Sequence, residues 1–177
     1  MTTLLHIIHP YTYKLERMGG PLIIGELEQF KERDQRVHEF VKRAKGTGID
    51  TLVYWEVPSE RIFFSLGAII LDERLKIMLP STHAISTPYC GRPKNLPGYT
   101  SPKAYDEIVT PYERHLFIGG LLDACIPDAA CYTRGLSSAP ITIIEDLCVS
   151  FEHEYAEHLK QTLFPAKEIK LAQSLSF

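Results

Sequence analysis

Apolar positions along this chain follow two rhythms. Short, nearly continuous runs recur as TLLHIIH at 3–9, IDTLVYWEV at 49–57, LFI at 116–118 and ITII at 141–144. Runs of this length without strict alternation predict strands covered on both faces, as in a parallel sheet. Between them lie segments with helical spacing. Leu27, Phe30, Val37, Val41 and Ala44 recur through residues 26–45, with charges between them and Gly46 and Gly48 after them. That pattern predicts an amphipathic helix whose charge run is a solvated face. Ser101 suits an N-cap and Pro102 a first helical position, which predicts a helix through Val109. Ser150 suits the cap of another helix reaching about Leu163, with Phe151, Tyr155 and Leu159 on one face. Residues 168–171 read as a last short strand. Strands alternating with helices predict an α/β fold, three layers α/β/α around a mostly parallel sheet.

Two stretches carry no such rhythm. Residues 10–25 read as loop. Residues 79–102 are punctuated by Pro80, Pro88, Pro93, Pro97 and Pro102, with Gly91 and Gly98. They read as a long ordered loop or an irregular segment, of the kind that often lines a site or an oligomer contact. The apolar run at 62–71 fits a strand or a buried helix equally well.

Composition narrows the class. At 177 residues the chain is expected to form a single domain, 1–177, with a sizeable core. A net charge of −3 without strong asymmetry gives no footprint for nucleic acid or an anionic membrane. No apolar run approaches the roughly 20 residues of a membrane span. The N-terminus reads as a first strand rather than a signal peptide. Cys90, Cys125, Cys131 and Cys148 form no CxxC and no pair at zinc spacing, so a reduced, cytoplasmic chain is the expectation.

The chemistry concentrates in HLFIGGLLDACIPDAACYTRG, residues 115–135. An apolar strand ends in Gly119-Gly120, and a tight segment leads to Cys125. Pro127 suits a first helical position, Asp128 complements the positive end of the helix dipole, and Arg134 and Gly135 suit its close. Cys125 is therefore expected where a strand ends and a helix begins, the edge where open α/β sheets bind ligands. Unpaired N–H groups and the dipole there favour a thiolate. The alternative is a buried, inert cysteine.

This segment resembles the isochorismatase-like hydrolases, a family of cysteine hydrolases that includes isochorismatases, nicotinamidases and related amidases. Their pattern is a strand, a Gly, two small or apolar residues, Thr, an acidic residue or Asn, any residue, then Cys. A helix, a Gly, a second apolar strand and an acidic segment follow. Gly119 to Cys125, Gly135 and ITIIEDLCVS at 141–150 match it, with Leu122 in place of the Thr. The resemblance covers about the last third of the chain. It implies the isochorismatase-like, Rossmann-like fold and Cys125 as the nucleophile. It also implies a cis bond between Leu121 and Leu122, and an oxyanion hole built from N–H groups near Leu122 and Cys125. Glu145-Asp146 would support the site. Lys94, 31 residues before Cys125, would stand for the family's lysine.

The family's catalytic aspartate falls on Ile8, so the usual base is replaced. A slip of one residue brings His9 to that place, which reverses the face each side chain points to. The metal-binding members carry an Asp and His cluster after the second strand. Residues 54–59 hold Glu56 but no histidine, and a catalytic zinc needs about three protein ligands, so neither a metal nor a cofactor is expected. The implied activity is hydrolysis of a small amide-type, C–N substrate by a homo-oligomer. The alternative is a catalytically impaired member that acts as a binding or oligomeric partner.

Overall fold

The computed structural model describes residues 2–8, 24–44, 47–56, 82–87 and 102–176. Six strands form one sheet: β1 (Thr3–Ile8), β2 (Ile49–Glu56), β3 (Thr82–Thr87), β4 (Arg114–Leu121), β5 (Ile141–Val149) and β6 (Ile169–Ala172). Their order is β3-β2-β1-β4-β5-β6, and every pairing is parallel. The helices are α1 (Ile24–Ala44), α2 (Pro102–Val109), α3 (Cys125–Leu136), α4 (His153–Gln161) and α5 (Leu163–Ala166), and a 3₁₀ turn (Ser174–Ser176) follows. This is the expected α/β arrangement with a parallel sheet. The sheet separates two apolar clusters. Leu5, Ile7, Leu116, Ile118 and Ile144 meet Val37, Phe40 and Val41 of α1 on one face. Leu4, Ile8, Phe117 and Ile143 meet Tyr105 of α2, Ile126 and Ala129 of α3 and Leu159 of α4 on the other. β1 is buried at every position, as a strand covered on both faces must be.

Several boundaries differ from the sequence reading, each for a local reason. Residues 82–87, read as part of an irregular segment, form strand β3 beside β2. Pro80 and Pro88 lie just outside it, and THAIST itself holds no proline and three β-branched residues. β5 continues through Val149 rather than stopping at Ile144. It does so by bulging: Phe117 pairs with Ile143, but Gly119 pairs with Cys148, so β5 carries the extra residues. The charged side of α1 is not wholly solvated, because Arg33 is fully buried in line with Val37 and Val41. On α4 the buried residues are Ala156 and Leu159, while Phe151 and Tyr155 stand exposed at the surface. The run at 62–71 lies outside the described residues.

Candidate functional site

Cys125 is the first residue of α3, placed by a three-residue turn at the C-terminal edge of β4. The strand-to-helix junction is as expected. The helix starts two residues earlier than Pro127 implied, so Pro127 is its third residue, where an N–H would still lack an intrahelical acceptor. Asp128 lies in the first turn and Arg134 in the last, each opposite in sign to the dipole end it sits on. Cys125 is buried, in one apolar cluster with Ile8, Leu122 and Cys148.

The approach of β1 to β4 depends on Gly119. Its φ is +104°, and a Cβ there would overlap Ile8 O and lie 3.0 Å from Ile8 N. Only glycine accepts both the backbone angle and the contact. This close pairing sets the C-terminal end of β1, where Ile8 sits, beside the turn that carries Cys125.

The cis bond expected between Leu121 and Leu122 is absent; no described residue has one. With trans geometry the chain leaves β4 so that Leu122 N–H donates to Val149 O at 2.7 Å. That hydrogen bond continues the pairing of Leu121 with Val149 and takes up the Leu122 donor. Ala124 N–H in turn donates to Leu121 O at 3.2 Å, closing the turn before the helix.

Asp123 has a role the sequence did not reveal. Its Oδ2 accepts from Phe151 N–H at 3.0 Å and Glu152 N–H at 2.5 Å. The carboxylate thus holds the backbone just before α4 from a turn 28 residues away and ties the β4–α3 turn to the β5–α4 turn. Ser150, expected to cap this helix, has a buried Oγ without a hydrogen-bond partner, and so does Oδ1 of Asp123. Asp123→Ala removes two charge-assisted bonds to backbone. Its expected cost is about 1–3 kcal/mol, read as a lower urea midpoint, with Asp123→Asn losing less. An unchanged midpoint in both variants would contradict the role of Asp123 in tying the two turns together.

Glu145 and Asp146 lie within β5 and hold neighbouring elements. Lys160 of α4 pairs with Glu145 and with Glu157. Asp146 accepts from Ser174 N–H at 2.7 Å and from the Ser174 hydroxyl, while its carbonyl accepts from Arg36 Nε of α1 at 2.7 Å. Above them a pocket of about 200 Å³ opens between α1 and α4, with Leu122, Cys148, Ser150, Arg36, His153 and Lys160 in its wall. The Cys148 thiol donates to Ile144 O at 3.2 Å, and burial pushes it up to about 12, so it stays protonated.

The structure therefore brings Cys125, Leu122 and Ile8 together in one cluster. Lys94 and His9 lie outside the described residues. Ile8 is fully buried with an alkyl side chain where the resemblance puts the base. Among the described residues no three His, Cys, Asp or Glu side chains converge as metal ligands, and no helix is long and apolar enough to cross a membrane.

No family model matches the sequence, and no curated protein matches it. Solved structures do match. An isochorismatase family protein from Desulfovibrio vulgaris subsp. vulgaris str. Hildenborough superimposes with a TM-score of 0.66 at 13% identity, over 98% of this chain and 95% of that one. A nicotinamidase from Bacillus subtilis gives 0.67 at 12% identity, over 98% and 100%. A ribonuclease from Caenorhabditis elegans gives 0.69 at 13% identity, over 99% and 78%.

Proposed function

Starting from the isochorismatase-like fold of this chain, we propose that it is a hydrolase that uses Cys125 as nucleophile on the C–N bond of a small amide. The observation that carries this reading is the position of Cys125. It is the first residue of the helix that follows β4, beside the end of β1. The thiolate adds to the carbonyl carbon, and the oxygen takes the negative charge. The C–N bond then breaks, and the amine leaves with a proton. Water adds to the thioester, the C–S bond breaks, and the acid is released. The proposed donors for the oxyanion are the N–H groups that open α3, at Cys125 and Ile126, since Leu122 N–H is given to Val149 O, Pro127 has none and Asp128 N–H is given to Ala124 O. Lys94 is the proposed cation that supports the thiolate. The substrate is a small molecule, and neither nucleic acid nor membrane is a partner. The protein works in the cytoplasm as a homo-oligomer; the exposed aromatic rings of Phe151 and Tyr155 are consistent with self-association.

A second reading rests on Ile8. Its alkyl side chain accepts no proton, and loss of general acid–base help typically costs about 10² to 10⁴ in rate. On that reading the protein keeps the fold and serves as a binding or oligomeric partner. The ribonuclease among the similar structures is a reminder that a fold hosts more than one chemistry. The two readings separate in a screen of small primary amides, scored by ammonia release against Cys125→Ala. Turnover that disappears in Cys125→Ala supports the hydrolase. Release equal in both proteins, or none in either, supports the partner reading.

A further inference from the structure

Polar side chains are hydrogen-bonded in series through the core between the sheet and the α2 and α3 helices. His6 Nδ1 lies 2.7 Å from Tyr54 Oη, and His6 Nε2 lies 3.0 Å from His115 Nδ1. Tyr54 Oη is 2.8 Å from Tyr105 Oη, which is 2.7 Å from Thr133 Oγ1. At the other end His115 Nε2 is 3.4 Å from Ser137 Oγ. The two ends meet, because Ser137 N–H donates to Thr133 O at 2.9 Å. Side chains from β1, β2, β4, α2 and α3 thus form a ring that closes on the last turn of α3. His6, Tyr54, Tyr105, His115 and Thr133 are all fully buried.

A neutral imidazole donates from one nitrogen and accepts at the other, and each hydroxyl does both. The protons can therefore run from Ser137 to Thr133 or the opposite way, and both orders satisfy every side-chain bond. No charge is needed in either. Elsewhere α3 is held by Ile126 in the core, by the edge contact of Tyr132 with Tyr105 and by Arg134, which donates to Lys167 O and Glu168 O near its end. Ala129 and Ala130 contribute small side chains, and Thr133 is its buried polar residue. Cys125, Ala129 and Thr133 follow at intervals of four on the sheet-facing side, with Thr133 about 12 Å along the axis from Cys125.

We infer that this ring is an acid-sensitive latch that holds α3, and with it Cys125, in register on the sheet. It is closed while His6 and His115 are neutral and opens when one of them takes a proton. Only its bearing on chemistry rests on the reading of Cys125 as nucleophile. The surroundings favour opening over a buried charge. From α3, Arg134 repels a proton on His115, and burial together with that cation holds His115 down at about 4. Burial and His115 hold His6 well below its ordinary value. From α2, Asp106 lies near Tyr105, which Tyr132 of α3 also faces. From β2, Asp50 accepts from Tyr112 at 2.8 Å, and from β4, Arg114 donates to Thr3. Among the described residues no carboxylate hydrogen-bonds either imidazole, so a proton there meets no counter-charge and is hydrated only by loosening the helix.

The test is hydrogen exchange on the whole protein, read by mass for peptides covering α3 and β5 at pH 7.5 and pH 5.0 after correction for intrinsic rates. It is paired with alkylation of Cys125 in the same samples. In the wild-type chain, α3 is expected to lose about tenfold more protection at pH 5.0 than β5 does. Thr133→Val should exchange about tenfold faster in α3 already at pH 7.5 and lose the acid response, while Thr133→Ser, which keeps the hydroxyl, should restore both. Equal changes in α3 and β5, or a Thr133→Val chain that exchanges like wild type, would overturn the latch. If Cys125 is inert throughout while exchange behaves as expected, the latch stands and the nucleophile reading falls.

Discussion

Gly119→Ala is expected to destabilise the protein by about 3–5 kcal/mol, the sum of backbone strain and overpacking in a region with no room to shift. The backbone at 119 sits at φ +104°, and the added methyl would meet the Ile8 backbone itself rather than the end of a flexible side chain. β1 cannot retreat, because it is paired on its other side with β2 through the whole of Thr3–Ile8. Relief therefore requires parting β1 from β4 at their C-terminal ends, beside Cys125. Equilibrium urea unfolding reads the effect, and Gly135→Ala is the control: that glycine has open space around its Cβ position and lies inside a helix. It should be neutral or slightly stabilising, by up to about 1 kcal/mol, since alanine is the better helix former. A Gly119→Ala chain within about 1 kcal/mol of wild type would mean that the β1–β4 approach is not as tight as described.

Acid should weaken the fold from about pH 6.5 downward, through two buried histidines. His115 is held at about 4 by burial and by Arg134, and His6 is held well below 6.5 by burial and by His115. Both are neutral in the folded protein at pH 6, whereas the unfolded chain takes up protons below about 6.5. The unfolded state is then favoured, so stability is full above about pH 6.5 and falls as pH drops toward 4. Below that His115 itself titrates in the folded state and its contribution levels off. The loss across this window is on the order of 2–3 kcal/mol from His115, with His6 adding in the same direction. Urea midpoints between pH 8 and pH 4 measure it. His115→Gln should be less stable than wild type at pH 8 but should lose less on acidification. A wild-type midpoint flat from pH 7 to 4.5 would contradict the neutral, buried imidazole pair.

The fold was legible because its signals are local. The unbroken apolar runs at 3–8 and 116–118 and the spacing of Val37, Val41 and Ala44 need no partner to be recognised, and the structure places them as strands and a helix. β3 was hidden because a six-residue edge strand flanked by prolines looks like the loop around it. At the candidate site, the position of Cys125 between a strand and a helix was legible from a glycine pair and a helix start, both contiguous with it. What could not be read was contact across distance. Asp123 reaches backbone at Phe151 and Glu152, Gly119 meets Ile8, and His6 joins Tyr54 and His115. Each partner in these pairs is an ordinary residue in its own neighbourhood. The trans bond at Leu121–Leu122 shows the other limit. A feature carried over from resemblance fails where the local chain differs, and here leucine stands in place of threonine.

The most direct test of the proposed role of Cys125 is the rate of alkylation at each cysteine of the native protein by a small haloacetamide, followed by peptide mass between pH 6 and pH 9. Cys125 and Cys148 are both buried, but only Cys125 opens a helix, whereas Cys148 donates its proton to a carbonyl and is pushed up to about 12. The expected result is reaction at Cys125 at least about a hundredfold faster than at Cys148 at pH 7, through its thiolate. Equal, slow modification of the two thiols would contradict the account and leave Cys125 as a packed core residue.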